Sequence, residues 1–291
     1  MDARRRGSHD FRMSSYQERL RVHLAAYKRD ALGVADDGIY AGNGRSYPHI
    51  VPSDKRHLNL IEGFRDGIVG YLAKRPALRL HRDFHHLNSS QAMGFNLMWP
   101  ALASPAGLVA LARALASADI DPNSPLFESM PDPEERTNFD LHLYTRDGGQ
   151  LFFELKLSED HFGDARPDAA HLARLDDLYL ARLQSRVRPQ LLEPAAFFPR
   201  YQLLRDLSHL RTDADRLYLV VPHGNRHLRD QAQGFVAELD EPVRSQVVVL
   251  DIETLVERLR RFAPEGDAAW QRHYLEFTRK YGVAEHPVAA A

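Results

Sequence analysis

The chain has 291 residues, 44% hydrophobic and 27% charged, with a formal net charge of -2 and no cysteine. That length supports a sizeable core in one large domain or two smaller ones, and the composition is ordinary for a globular protein. Lack of cysteine excludes disulfides, thiolate catalysis and cysteine-ligated zinc, while the near-neutral charge argues against a globally basic nucleic-acid binder.

No apolar run approaches membrane-spanning length, and the opening MDARRRGSHDF lacks a signal-peptide core. Cytoplasmic residence without a membrane partner is therefore the expectation. Residues 1–13 read as a disordered or appended tail, residues 14–80 as an N-terminal helical extension, and residues 81–291 as the main core with C-terminal helices. Ser15-Tyr16-Gln17-Glu18 is a capping box that opens a helix through about Leu32, ended by Gly33. Residues 36–52 are rich in glycine and proline and predict a long loop carrying Tyr40, Arg45, Tyr47 and His49. Ser53 caps a second helix in which Leu58, Ile61, Phe64, Ile68, Val69 and Leu72 form one apolar face, closed by Pro76.

His81, His85 and His86 follow without a matching carboxylate or cysteine framework, so contact with phosphate or backbone is a better reading than a metal site. Asn88, Ser89 or Ser90 caps a helix through Trp99, closed by Pro100, with Gln91 in its first turn as a capping side chain. Residues 108–115 predict another helix. Leu126-Phe127-Glu128 predicts a first strand, in which Glu128 is either solvent-facing or a further acidic site member.

The most informative stretch is FDLHLYTRDGGQLFFELK, residues 139–156, whose two halves alternate with period two around Asp147-Gly148-Gly149. The pattern predicts a hairpin whose turn needs positive φ. An odd loop, taken as 147–149, sets Arg146 opposite Gln150, His142 opposite Glu154 and Asp140 opposite Lys156, all on one face. Two carboxylates and an ammonium gathered on one sheet face are costly unless something uses them. Mg²⁺ suits this set, with Mn²⁺ as the alternative, because it takes oxygen ligands and completes its shell with water and phosphate oxygens. Asp140 and Glu154 would bind the ion, which would activate water for attack on a phosphodiester, with Lys156 assisting that water.

Beyond the hairpin, Glu159 is placed to orient Lys156 or a second ion, or to cap a helix. A helical region is expected over residues 168–186 and a helix over 201–210. Residues 217–221 and 247–250 predict buried strands, and residues 226–239, 253–262 and 268–280 predict helices. Arg182, Arg186, Arg188, Arg200, Arg205 and Arg211 read equally as a basic face or as partners of nearby acids.

Asp140 and, after a hairpin turn, Glu154-Leu155-Lys156 resemble the PD-(D/E)XK nuclease superfamily. ELKLSED at 154–160, HLNSSQAMGFNLMWP at 86–100, RTNFD at 136–140 and RYQLLRDLSHL at 200–210 resemble its bacterial restriction-endonuclease-like branch of the PGN type. The resemblance spans roughly residues 45–260. It departs from the superfamily pattern at Asn138-Phe139-Asp140, where no proline precedes the aspartate. The resemblance implies an α/β fold with a restriction-endonuclease-like mixed sheet flanked by helices, and a Mg²⁺-dependent nuclease acting on DNA, with RNA and a homodimer left open. It also implies that the Leu155 carbonyl joins the metal ligands, and that Gln91 and Gln202 belong to the site. The alternative is a catalytically inactive nucleic-acid-binding or structural module in which Glu154 and Lys156 merely pair. A serine hydrolase is set aside because no nucleophile-elbow sequence is present.

Overall fold

The computed structural model describes residues 15–124 and 126–283, so the tail expected over residues 1–13 lies outside the described residues. Helix α1, Tyr16–Asp30, opens with the expected capping box: Ser15 Oγ accepts from the Glu18 N–H at 3.2 Å, and Glu18 Oε2 accepts from the Ser15 N–H at 2.9 Å. Residues 36–52 are more ordered than expected. They hold a small antiparallel hairpin, β1 Gly38–Tyr40 and β2 Arg45–Tyr47, in which Tyr40 faces Arg45.

The second predicted helix divides in two. A 3₁₀ segment Ser53–Asn59 is followed by α2, Glu62–Ala73, and the break at Leu60 and Ile61 is held from outside: the Ile61 N–H donates to Asn96 Oδ1 at 2.8 Å. Helix α3, Ser90–Leu102, is capped by Ser89 and contains Pro100 rather than ending before it. Proline cannot bond the carbonyl four residues back. That carbonyl, of Asn96, is taken instead by His273 Nε2 at 2.7 Å, so a tertiary partner allows the helix to continue.

Helix α4 is Pro105–Leu115. Strands β3 Leu126–Ser129, β4 Phe139–Tyr144 and β5 Gln150–Leu155 precede a helical stretch of α5 Ala169–Arg174, a π turn Leu175–Tyr179 and α6 Leu180–Leu183. Then come α7 Pro194–Phe197, α8 Tyr201–Leu207, β6 Arg216–Val221, α9 Arg226–Glu238, α10 Val243–Gln246, β7 Val247–Asp251, α11 Ile252–Arg261 and α12 Ala268–Tyr281.

The larger sheet has the order β3-β4-β5-β6-β7, antiparallel through β5 and parallel from β5 to β7. Alternation divides its side chains between two cores. Leu141, Leu143, Phe153, Leu155 and Val220 pack with α1–α4, α11 and α12, while Phe152, Leu217, Leu219 and Val221 pack with α5–α9. The result is the mixed α/β fold expected, a sheet sandwiched between helical layers. Among the described residues no single helix is long and apolar enough to cross a membrane.

The hairpin register differs from the expected one by two residues. Thr145 N–H donates to the Gly149 carbonyl at 2.8 Å and Gly148 N–H to the Thr145 carbonyl at 3.0 Å, so the loop is 146–148 rather than 147–149. Gly148 takes φ +90°, the left-handed position of a three-residue loop with a glycine bulge. Leu141 therefore faces Phe153 and His142 faces Phe152, not Glu154. Because the slip is even, side chains from Leu141 to Tyr144 keep their expected faces; Phe139 does not, packing against Phe152 in the second core although Leu141 packs in the first. The pairing, continued by one residue, sets Asp140 opposite Glu154 instead of Lys156.

Candidate active site

Three acids stand level across three adjacent strands. Glu128 lies between the pairs Phe127–Leu141 and Ser129–Phe139, which aligns it with Asp140, and Asp140 and Glu154 each follow a member of the pair Leu141–Phe153 at the end of the β4–β5 ladder. Glu128 interrupts β3 with φ +50°, a left-handed conformation that strains a residue with a side chain. Its Oε2 accepts a short hydrogen bond from Asn138 Nδ2. Burial raises the Glu128 carboxyl above its ordinary value, and the charge of Glu154 acts in the same direction; hydrogen bonds from Gln91 and Asn138 offset this in part.

Asp140 is half-buried, and its Oδ2 accepts the Leu155 N–H at 2.7 Å. Burial, then the charges of Glu154 and Glu128, push its pKa well above the usual aspartate range. Glu154 is 4% exposed. Lys156 Nζ lies 2.8 Å from Glu154 Oε1 and donates to Gln202 Oε1 at 3.2 Å. Burial tends to lower the Lys156 pKa, but Glu154, Glu159 and Asp140 more than offset it and raise the pKa above the ordinary lysine value. Gln202 is reached because Gly163 leaves room: at φ +103°, a Cβ there would lie 2.9 Å from Gln202 Oε1.

A cavity of about 390 Å³ opens beside this row, lined by Glu128, Asp140 and Glu159 from the sheet side and by Asp83, His86 and Gln91 among others. Glu154, Lys156 and Gln202 form an adjoining trio rather than lining it. Glu159 Oε2 accepts the N–H groups of Leu157 and Ser158 at 2.6 and 2.9 Å, so this acid also shapes the turn after β5. Gln91 ties the rim together, accepting from the His81 N–H at 2.8 Å and donating to the Arg79 carbonyl at 3.3 Å.

Of the three expected histidines, His85 faces two carbonyls, those of Arg82 and Ile39, each at 3.1 Å. His81 and His86 line the cavity. Among the described residues no three His, Asp or Glu side chains gather closely enough to hold a metal ion by themselves. Other oxygen donors would have to complete a shell begun by Asp140 and Glu154. The Leu155 carbonyl is suitably placed, because the N–H and C=O of one strand residue project to the same side and that N–H meets Asp140.

The six arginines after the hairpin do not form a free basic face. Arg182, Arg188, Arg200 and Arg205 pair with Asp132, Asp240, Glu238 and Glu135 at 2.8, 2.6, 2.7 and 3.0 Å. Arg211 lies 3.7 Å from Asp132, and Arg186 donates to Gln246 at 2.6 Å.

Sequence reasoning missed Asp206. It is fully buried with no hydrogen-bond partner at either carboxylate oxygen, and it sits one helical turn after Gln202 on α8. That four-residue spacing was the available signal. Burial, then the charge of Glu154, raises its pKa well above the usual range. The unfolded chain therefore loses this proton first, and Asp206 subtracts stability as pH rises above the ordinary aspartate value of 3.8. Asp206→Leu should stabilise the protein at pH 7 by about 1–3 kcal/mol. Denaturant melts should show the gain shrinking toward pH 4; a variant less stable than wild type at pH 7 would contradict this account.

A family model described as restriction endonuclease associating with ARP matches residues 21–282. No curated protein and no solved structure matches the chain.

Proposed function

Because the chain belongs to the family of restriction endonucleases associating with ARP, we propose that it is a divalent-cation-dependent nuclease that hydrolyses phosphodiester bonds in DNA. What supports this reading is the acid row Glu128, Asp140 and Glu154 with Lys156 beside it, which is the arrangement expected of a PD-(D/E)XK centre. The donor chemistry fits Mg²⁺ or Mn²⁺: hard oxygens from two neighbouring strands, a peptide carbonyl on the same side, and an aspartate whose pKa is raised first by burial and then by the charges of Glu154 and Glu128. Asp140, Glu154 and the Leu155 carbonyl would hold the ion, and its chemistry there is polarisation of a phosphate oxygen and acidification of a bound water.

Lys156 is held as an ammonium by its carboxylate neighbours, which suits it to donate to a phosphate oxygen beside the attacked phosphorus. Gln202 fixes the direction of that ammonium. Glu128 and Glu159 set the field of the cavity, and Gln91 holds its rim.

One observation favours a second reading, an inactive nucleic-acid-binding module: the Glu154–Lys156 contact at 2.8 Å satisfies both charges without an ion. Incubation with plasmid, linear duplex and single-stranded substrates across Mg²⁺ and Mn²⁺ separates the two. Metal-dependent cleavage, with ion binding in calorimetry, is expected. Neither cleavage nor heat of ion binding on any substrate would establish the inactive module.

A further inference from the structure

The cavity beside Asp140 has an acidic floor, which by itself repels a phosphodiester. Cationic and aromatic residues adjoin the residues that line it. Arg45 and Arg79 are exposed, and neither guanidinium has a hydrogen bond or ion pair among the described residues. Arg82 is exposed and lies 3.6 Å from Asp83. Each is tied to the mouth by a neighbour. The Arg79 carbonyl holds Gln91, and Arg82 stands between His81 and Asp83, which both line the cavity. Arg45 is the strand partner of Tyr40, whose ring meets the lining residue His86 edge-on at 5.4 Å.

This wall is fixed in place. Gly38 N–H donates to the Ile50 carbonyl at 2.9 Å, Val51 N–H to the His85 carbonyl at 3.2 Å, and the His85 ring contacts the Ile39 carbonyl at 3.1 Å. Gly42 closes on the Tyr40 ring so tightly that a Cβ there would lie 2.5 Å from Cζ. A half-buried aromatic ring with preset orientation, next to unpaired arginines, matches what holds a nucleic-acid strand: cations on phosphates and a ring face or edge against a base or sugar.

We propose that the β1–β2 hairpin and residues 79–82 form a grip that holds a nucleic-acid strand across the cavity mouth, with Arg45, Arg79 and Arg82 on phosphates and Tyr40 against a nucleoside. This rests on the nuclease reading for what happens to the strand, but not for its binding. The arrangement separates two tasks electrostatically: the rim attracts a polyanion, and the floor admits it only where a cation compensates.

The test is fluorescence anisotropy in a Glu154→Gln background with labelled single-stranded DNA, duplex DNA and single-stranded RNA of one sequence. Tyr40→Ala with Arg45→Ala should weaken binding about tenfold or more, as loss of one stacked group and one phosphate contact predicts. Arg79→Ala with Arg82→Ala should flatten the dependence of log K on log salt by about 0.7–0.9 per arginine. Arg188→Ala, which removes one charge from a pair on the helical side, is the control, and melting curves verify that each variant folds. The polymer with the largest loss is the one gripped. Changes no larger than the control's on all three polymers overturn the proposal. If the wild type cleaves nothing yet the hairpin variants lose binding, the nuclease reading fails and the grip stands. If the wild type cleaves and the hairpin variants bind as it does, the grip alone falls.

Discussion

Glu154→Gln is expected to lower Mg²⁺- or Mn²⁺-dependent phosphodiester cleavage by roughly 10³-fold or more while leaving the fold intact. The side chain is buried and closely confined, so an amide of the same shape fits where the carboxylate stands. Breaking a buried ion pair usually costs about 3–5 kcal/mol. Here the cost is offset, because Lys156 keeps Glu159 and Asp140 as neighbouring charges and Gln202 as an acceptor. Asp140 and Asp206 are also relieved of a repulsive neighbour. Stability should therefore change by only about 1 kcal/mol, seen as a small shift in the melting midpoint. Plasmid cleavage rates and circular dichroism report the two quantities separately. Cleavage unchanged in this variant, with metal still required, would remove Glu154 from the reaction.

Glu135→Ala should be the most destabilising single change, at about 3–5 kcal/mol. This carboxylate is 1% exposed and receives the Thr137 N–H and the Tyr179 hydroxyl, each at 2.6 Å, His209 Nε2 at 2.9 Å and Arg205 Nε at 3.0 Å. Alanine leaves those buried donors without their acceptor. Burial alone would raise the Glu135 pKa, but hydrogen bonds from His209, Thr137 and Tyr179 and the charge of Arg205 outweigh it and hold the group far below the ordinary glutamate value of 4.5.

The sign follows from linkage. A depressed carboxylate stabilises the fold fully above its unfolded pKa and progressively less as pH falls below it. The gap between wild type and Glu135→Gln should thus be constant from pH 6 to 8 and narrow below about 4.5. Urea melts at several pH values measure it, and a gap that widens in acid would refute the assignment. The same hub joins the segment leading into β4 to α8, so its loss should also disturb the placement of Asp140 and Gln202.

Most of the fold was legible because its elements carry strong periodicities, from the capping box at Ser15 to the buried run over residues 217–221. Parity was legible in the hairpin from Leu141 to Tyr144, where alternation decides which face a side chain takes, but not at Phe139, which crosses to the other core. Loop length was not, because Asp147-Gly148-Gly149 offers two adjacent glycines and only the folded turn shows that Gly148 takes the left-handed position. Pro100 misled because the partner that accommodates it, His273, is 173 positions later in the chain. The break before α2 depends likewise on Asn96.

For the site, the spacing of Asp140, Glu154 and Lys156 was readable, and Glu128 aligned with them as one of its two readings. The hairpin at residues 38–47 was not, because its relation to the acid row exists only in three dimensions, and Asp206 was signalled only by its four-residue spacing from Gln202. For the arginines after the hairpin the second of the two readings holds: five of the six stand beside acids, several of them far away in the chain, and Arg186 is held by Gln246.

Glu128 has one more effect. β3 is one of the two edge strands of the sheet, and a regular edge strand offers its free amides and carbonyls to any passing chain. A left-handed residue within four leaves no flat stretch long enough to template another ribbon. The kink that sets an acid in the row thereby also blunts this edge of the sheet against pairing with another chain.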